Sequence, residues 1–159
     1  MCPPGRDKHC QLQLASGNCA GVKPVLVIED DDHIRESLKM LLEWEGFSVL
    51  TARNGEEGFL HLREEVGVVL LDLMMPVMNG WEFLEKKRHS TEFKDVPVVV
   101  VSAAVPGDGV HDMELCREEV AAILRKPIES DELLKHVAAH CAPSYELEAA
   151  RNSCPVSAC

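Results

Sequence analysis

The chain has 159 residues, of which 46% are hydrophobic and 27% charged, and its formal net charge is −11. This length suits one domain with a buried core, and an aromatic content of only 4% predicts that the core is aliphatic. The acidic balance argues against nucleic acid or an anionic membrane surface as a partner, because like charges repel. The apolar runs are far shorter than the about 20 residues that span a bilayer. The start shows no signal peptide, so we expect a cytoplasmic location with no membrane partner.

The two ends of the chain lack hydrophobic periodicity. We predict a flexible leader over residues 1–22, one folded domain over 23–142 and a flexible tail over 143–159. Five of the seven cysteines lie in these ends, and none has the CxxC spacing of a zinc site. Free thiols in a reducing compartment are the simpler interpretation, and a metal or redox site formed by the tails is the alternative.

Between the ends, strand-like and helix-like segments alternate. Short apolar runs with turn residues predict the strands, and apolar positions three and four apart predict the helices. The predicted pairs, each a strand followed by a helix, are 24–29 and 32–45, 48–52 and 54–64, 66–71 and 81–88, 96–101 and 110–119, and 121–124 and 130–141. Strict alternation predicts an α/β fold with a parallel sheet and helices on both faces. At the start of the first helix we expect Asp32 to be the N-cap and Asp31 to be a solvated loop charge.

Polar residues follow four of the predicted strands. In parallel sheets the carboxyl ends of the strands meet at one edge, where ligands bind. The residues gathered there are Glu29 and Asp30 after the first strand, Asp72 after the third, Ser102 after the fourth and Lys126 after the fifth.

Three adjacent carboxylates repel one another and need a compensating cation. Mg²⁺ prefers hard oxygen ligands and keeps several waters, so it is the cation we expect. A carboxylate can attack phosphorus as a nucleophile and form an acyl phosphate. Mg²⁺ and Lys126 would neutralise the transferring group, and the Ser102 hydroxyl would bind one of its oxygens.

The sequence over 22–142 resembles the receiver domain of two-component response regulators. The matching segments are VLVIEDD at 25–31, LLDLMMPVMNG at 70–80, VVSA at 100–103 and KP at 126–127. Each segment alone is common, and their joint order and spacing are specific. The resemblance implies a flavodoxin-like, doubly wound sheet of five parallel strands in the order 2-1-3-4-5.

The resemblance also implies the role of each site residue. Asp72 would be the phosphoacceptor. Mg²⁺ would be held by Asp30, Asp72 and the backbone carbonyl of Met74, with Glu29 assisting through water. Lys126 and Ser102 would bind the phosphoryl group, and Ser102 would shift on phosphorylation.

Several positions depart from the family pattern. Glu29 replaces the commoner Asp. Ile123 stands where many members carry an aromatic ring that turns inward in the switch, which puts the output step in question. Met74 and Ala104 occupy positions that tune acyl-phosphate lifetime, and neither orients an attacking water. We therefore predict slow intrinsic dephosphorylation.

We predict a stand-alone, chemotaxis-type regulator that is a switch and not a turnover enzyme. Its partners would be a histidine kinase or histidine phosphotransfer protein and a downstream protein bound by the predicted fourth and last helices. About 17 residues follow the last predicted helix, too few for a DNA-binding domain of usual size. The alternatives are a pseudo-receiver scaffold that acts without phosphorylation and an aspartyl-phosphate hydrolase. A hydrolase typically needs a second acid two residues after its nucleophile, where this chain has Met74.

Overall fold

The computed structural model describes residues 23–103 and 120–141. The predicted leader, the predicted tail, the predicted fourth helix and Ala104 lie outside these residues, so the predicted domain boundaries stay predictions. None of the helices in the described segments combines the length and the apolar character needed to cross a membrane.

Five parallel strands form one sheet in the order β2-β1-β3-β4-β5, which confirms the predicted fold class. The strands in chain order are β1 Val25–Ile28, β2 Val49–Ala52, β3 Val68–Leu71, β4 Val98–Ser102 and β5 Ala122–Arg125. The helices are α1 Asp32–Trp44, α2 Gly55–His61, α3 Gly80–Arg88 and α4 Ser130–Ala138, and a 3₁₀ turn over Leu62–Glu64 follows α2.

The sheet is covered on both faces. One apolar cluster joins it to α2 and α3, and a second joins the opposite face to α1 and α4. The three central strands β1, β3 and β4 are buried along their whole length. Burial on both faces is why these strands are continuously apolar in sequence and show no alternation.

The first helix corrects one prediction, because its N-cap is Asp31 and not Asp32. The Asp31 carboxylate accepts hydrogen bonds from the amides of His33 at 2.9 Å and Ile34 at 3.0 Å. These two bonds, that from Ile34 first, lower the Asp31 pKa. Asp31 has extended backbone, as a capping residue requires, while Asp32 is already helical and pairs with Arg35. Sequence alone did not decide between neighbouring acids, because either can cap.

Candidate functional site

Strand pairing positions the acids one residue beyond the sheet. The amide of Glu29 donates to the carbonyl of Ala52 at 3.0 Å, and the amide of Asp72 donates to the carbonyl of Ile28 at 3.0 Å. The backbones of both acids are therefore fixed by the neighbouring strand. On the other side of β3, the amide of Lys126 donates to the carbonyl of Ser102 at 3.1 Å. The predicted convergence at the carboxyl edge of the sheet is thus present.

Lys126 bridges two buried carboxylates. Its ammonium lies 2.7 Å from Oε2 of Glu29 and 3.0 Å from Oδ2 of Asp72. Glu29 is 3% exposed and Asp72 is 6% exposed. Such burial of charge is unfavourable unless the groups are paired, so this lysine compensates the two acids. The peptide bond that follows it, to Pro127, is cis.

The protonation states follow from this pairing. Burial is the strongest influence on Glu29 and raises its pKa, although the hydrogen bond from Lys126 acts in the opposite direction. Burial alone would lower the Lys126 pKa, but hydrogen bonds to Glu29 and Asp72 outweigh it and raise that pKa. Lys126 therefore carries its charge at neutral pH.

Asp30 completes an acidic group at the surface. It is exposed, unlike Glu29 and Asp72, and oxygen atoms of the three carboxylates lie within 4.8 Å of one another. Hard carboxylate oxygens at this spacing, with one of them open to solvent, suit a divalent cation that retains water. The group can therefore hold a metal ion.

The loop after β3 restrains the Asp72 carboxylate through a backbone hydrogen bond. The amide of Met74 donates to Oδ1 of Asp72 at 3.1 Å, while Met74 is 65% exposed. Asn79 and Glu82 form a capping box at the start of α3, with Asn79 as the N-cap, so the helix begins one residue before the predicted 81–88.

Gly80 allows the first turn of α3 to lie against the backbone of the Asp72 loop. A Cβ atom at Gly80 would lie 2.5 Å from the carbonyl oxygen of Asp72 and 2.7 Å from Cα of Leu73. The Gly80 amide donates to the carbonyl of Leu73 at 3.1 Å. Only glycine fits this contact, which fixes where β3 delivers Asp72.

Ser102 ends β4, the strand that lies between those that deliver Asp72 and Lys126. It is fully buried, and its Oγ has no hydrogen-bond partner among the residues that the structure describes. Buried hydroxyls are nearly always paired, so an unpaired one calls for an explanation. Ile123, on the adjacent strand β5, is partly buried and packs against the α2–α3 side of the core.

Arg35 is a residue of the site that sequence reasoning missed. Its guanidinium donates to the carbonyl of Glu29 at 2.8 Å and to that of Asp30 at 3.3 Å, and it pairs with the Asp32 carboxylate. The available signal was the three-residue spacing from Asp32 to Arg35 on a helix. That spacing predicts the ion pair, but not the reach back to the two carbonyls.

Comparisons with known proteins identify the class of protein that this fold and site define. Residues 25–138 match the model of the response regulator receiver domain. The chain is 39% identical over 116 residues to a transcriptional regulatory protein CpxR homolog of Haemophilus influenzae, covering 72% of this chain and 48% of the relative. It is 33% identical over 116 residues to the transcriptional regulatory protein SrrA of Staphylococcus aureus, covering 72% and 46%.

Solved structures agree with these relatives. A response regulator receiver protein from Pseudomonas putida superposes with a TM-score of 0.68 and 26% identity, covering 76% of this chain and 98% of that one. A CheY-like receiver domain protein from Methanospirillum hungatei gives a TM-score of 0.65 and 26% identity, covering 74% and 92%.

The chain belongs to the response regulator receiver domain family. It is a phospho-signalling domain of two-component systems, as predicted. The chain spans about half the length of the curated relatives it matches. Those relatives are transcriptional regulators by name, so they lend no support to the predicted stand-alone subtype or to the predicted absence of a nucleic-acid partner.

Proposed function

We propose that Asp72 accepts a phosphoryl group from the phosphohistidine of a histidine kinase or a histidine phosphotransfer protein. The observation that carries this proposal is the charge arrangement around Asp72. Its carboxylate is 6% exposed, is bonded by Lys126 at 3.0 Å and lies in the acidic group with Glu29 and Asp30.

The transfer balances as an exchange at phosphorus. A carboxylate oxygen of Asp72 forms the new P–O bond while the P–N bond to the donor imidazole breaks, and the imidazole leaves with the bonding electron pair and takes up a proton. Lys126 would remain beside the acyl phosphate and offset its added negative charge. The buried Ser102 hydroxyl, which has no partner within residues 23–103 and 120–141, would then donate to a phosphoryl oxygen.

The donor set fits Mg²⁺. Glu29, Asp30 and Asp72, together with the backbone carbonyl of Met74, would hold the ion, which supplies positive charge to the transferring phosphoryl oxygens. The exposed position of Asp30 leaves one side of the acidic group open to water. Lys126 already bonds one oxygen of Glu29 and one of Asp72. Both acids would therefore interact with two cations, the lysine ammonium and Mg²⁺.

Phosphorylation would change the pocket through Ser102 and Lys126, which move toward the phosphoryl group. Ile123 has no ring to turn inward, so the change would pass to the surface through backbone and packing shifts near β4 and β5.

We further propose that the output is protein binding by a stand-alone, cytoplasmic chemotaxis-type regulator. Sequence inference supports that finer assignment, whereas the transcriptional relatives favour testing DNA as well.

The acyl phosphate should be long-lived. The side chain of Met74 is apolar and 65% exposed beside Asp72, and it offers no acid or amide to orient water. Replacing it with a water-orienting residue, Met74→Asn, should speed hydrolysis by about ten-fold if one positioned polar group supplies a modest catalytic effect. Loss of phosphoryl mass with time, followed for both proteins, measures this, and equal decay rates would contradict it.

The deciding experiment is intact mass after incubation with Mg²⁺ and a small phosphodonor. We expect wild type to gain one phosphoryl group, and Asp72→Asn or omission of Mg²⁺ to prevent the gain. No gain in wild type, with Mg²⁺ binding shown separately, would favour the pseudo-receiver that works without phosphorylation. Sustained turnover of small phosphate esters would instead support the alternative that the protein is an aspartyl-phosphate hydrolase.

A further inference from the structure

We propose that Arg35 is a positioning residue that holds the acid pair Glu29-Asp30 in the geometry that binds Mg²⁺. This inference rests on the proposed function, since it concerns the same metal site. Arg35 lies on the first turn and a half of α1, and its backbone amide donates to the carbonyl of Asp31 at 2.9 Å. The helix therefore fixes the base of the side chain that reaches back to the loop.

The contacts of the guanidinium span the loop between β1 and α1. One nitrogen, Nη1, donates to the carbonyl of Glu29 at 2.8 Å and to that of Asp30 at 3.3 Å, and the other, Nη2, pairs with the Asp32 carboxylate. The side chain of Arg35 is 11% exposed, whereas that of Asp32 is 77% exposed. A largely buried arginine with three anchoring groups has little freedom, because its planar fork fixes the direction of each donor.

These bonds restrain the part of the site that strand pairing leaves free. The Glu29 amide is tied to β2, but β1 ends at Ile28 and α1 begins only at Asp32. Asp30 lies in this short link and is exposed, so burial restrains its carboxylate less than it restrains Glu29 and Asp72. The guanidinium binds the carbonyls of the two peptide groups that flank the Cα atom of Asp30, and so sets the direction in which the Asp30 side chain leaves the backbone. Partners that orient metal ligands in this way typically change metal affinity by 10–100-fold when they are removed.

Electrostatics alone predicts that removal of Arg35 strengthens Mg²⁺ binding, whereas loss of positioning predicts weaker binding, so the direction of the change in Mg²⁺ affinity distinguishes the two roles. Arg35 is a cation near three carboxylates, and deleting it leaves the site more negative. If Arg35 acted only through its charge, Mg²⁺ would bind more tightly to the variant, since the repulsion between two cations is relieved. If Arg35 positions the acids, Mg²⁺ binds more weakly despite that relief.

The test is the Mg²⁺ dissociation constant, measured by titration calorimetry on the full chain without phosphodonor. We expect Arg35→Met to weaken Mg²⁺ binding by about ten-fold. Arg35→Lys, which keeps the charge but has no planar fork, should give an intermediate loss. The control Arg63→Met removes the same charge from an exposed position on the 3₁₀ turn and should bind as wild type does.

A second readout separates positioning from general stability. Thermal unfolding of the same variants without Mg²⁺, compared with their Mg²⁺ dissociation constants, gives this readout. A merely structural role would lower the melting temperature and leave the Mg²⁺ affinity unchanged. Should Arg35→Met fail to fold, Arg35→Lys decides alone.

Equal or tighter Mg²⁺ binding by a folded Arg35 variant overturns the positioning role. Failure of the proposed function looks different, since wild type itself would then show no Mg²⁺ binding or no phosphoryl gain.

Discussion

The two sides of the Asp72 pocket differ in how far their polar groups are satisfied. On one side the Lys126 ammonium bonds Glu29 at 2.7 Å and Asp72 at 3.0 Å, so all three side chains have a partner in the contact. On the other side Ser102, fully buried, offers a hydroxyl with no partner within the described residues. The strands that deliver Ser102 and Lys126 are neighbours, so the contrast arises between adjacent positions of one sheet edge.

The difference separates groups that stabilise the resting protein from a group that would serve the proposed phosphorylated form. A buried ion pair opposes the repulsion between the two acids before any phosphoryl group arrives. A buried hydroxyl without a partner is unfavourable by about 1–3 kcal/mol. That penalty would be relieved when a phosphoryl oxygen accepts its hydrogen bond. The paired side therefore supports the fold, while the unpaired side would favour the proposed phosphorylation of Asp72.

The largest change in the free energy of unfolding is expected at Gly80, which lies against the backbone of Asp72 on the paired side of the pocket. Gly80→Ala places a Cβ 2.5 Å from the carbonyl oxygen of Asp72. The backbone must shift, and we expect the free energy of unfolding to fall by about 3 kcal/mol, with weaker Mg²⁺ binding because Asp72 moves. Urea denaturation and calorimetry measure the two effects.

The matched control is Gly55→Ala, also in the first turn of a helix. Its Cβ would lie 2.7 Å from Cγ and 2.9 Å from Sδ of the Met78 side chain, and 3.0 Å from the Met78 carbonyl oxygen, which is a less severe backbone contact than at Gly80. A methionine side chain can rotate away, so the change in unfolding free energy should stay within about 1 kcal/mol. Equal losses in the two variants would show that the close approach to Asp72 has no special weight.

The next effect comes from removing the bridging cation. Lys126→Met leaves Glu29 and Asp72 buried without their shared partner, and we expect a loss of about 2 kcal/mol in Mg²⁺-free buffer at neutral pH. Since the lysine is 16% exposed, the loss is smaller than for a fully buried pair. Mg²⁺ should raise the melting temperature more in this variant than in wild type, because the ion then compensates the acids alone. Lys135→Met, at an exposed position of α4, is the control.

The pH dependence of this variant has a definite sign. Burial already raises the pKa of Glu29, and loss of Lys126 raises it further. An acid with a raised pKa in the folded state binds protons more readily than in the unfolded state, so folding becomes more favourable as pH falls. The stability difference from wild type should therefore shrink between pH 7 and pH 5, as denaturation at both pH values would show. A difference that grows on acidification would contradict this account.

The smallest expected effect is a gain in stability rather than a loss, and it comes from Ser102. Ser102→Ala removes the unpaired hydroxyl and should stabilise the unphosphorylated protein by about 1 kcal/mol. The phosphorylated form should lose this advantage, because the bond to the phosphoryl oxygen is missing. Ser37→Ala is the control, since its hydroxyl already donates to the carbonyl of His33 at 2.7 Å and its removal should not stabilise. Destabilisation by Ser102→Ala in the resting state would show that the hydroxyl has a partner after all.

The sequence alone determined the alternation of strands and helices, the sheet order through family resemblance, and which residues follow the strand ends. These features are local, because a continuous apolar run predicts a strand buried on both faces and apolar residues three and four apart predict a helix. Glu29, Asp30, Asp72, Ser102 and Lys126 were found in this way, and the structure brings them to one edge of the sheet.

Tertiary structure alone decided how these residues share their contacts. Lys126 bonds an acid 97 positions away, and the contact of Gly80 with the Asp72 backbone depends on how α3 lies against β3. The choice of Asp31 over Asp32 as N-cap, the unpaired state of Ser102 and the reach of Arg35 to two carbonyls depend on backbone direction and on distances of tenths of an ångström. Hydrogen bonds and steric contacts are short-ranged, so residue types and spacing along the chain do not specify them before the sheet and helices are packed.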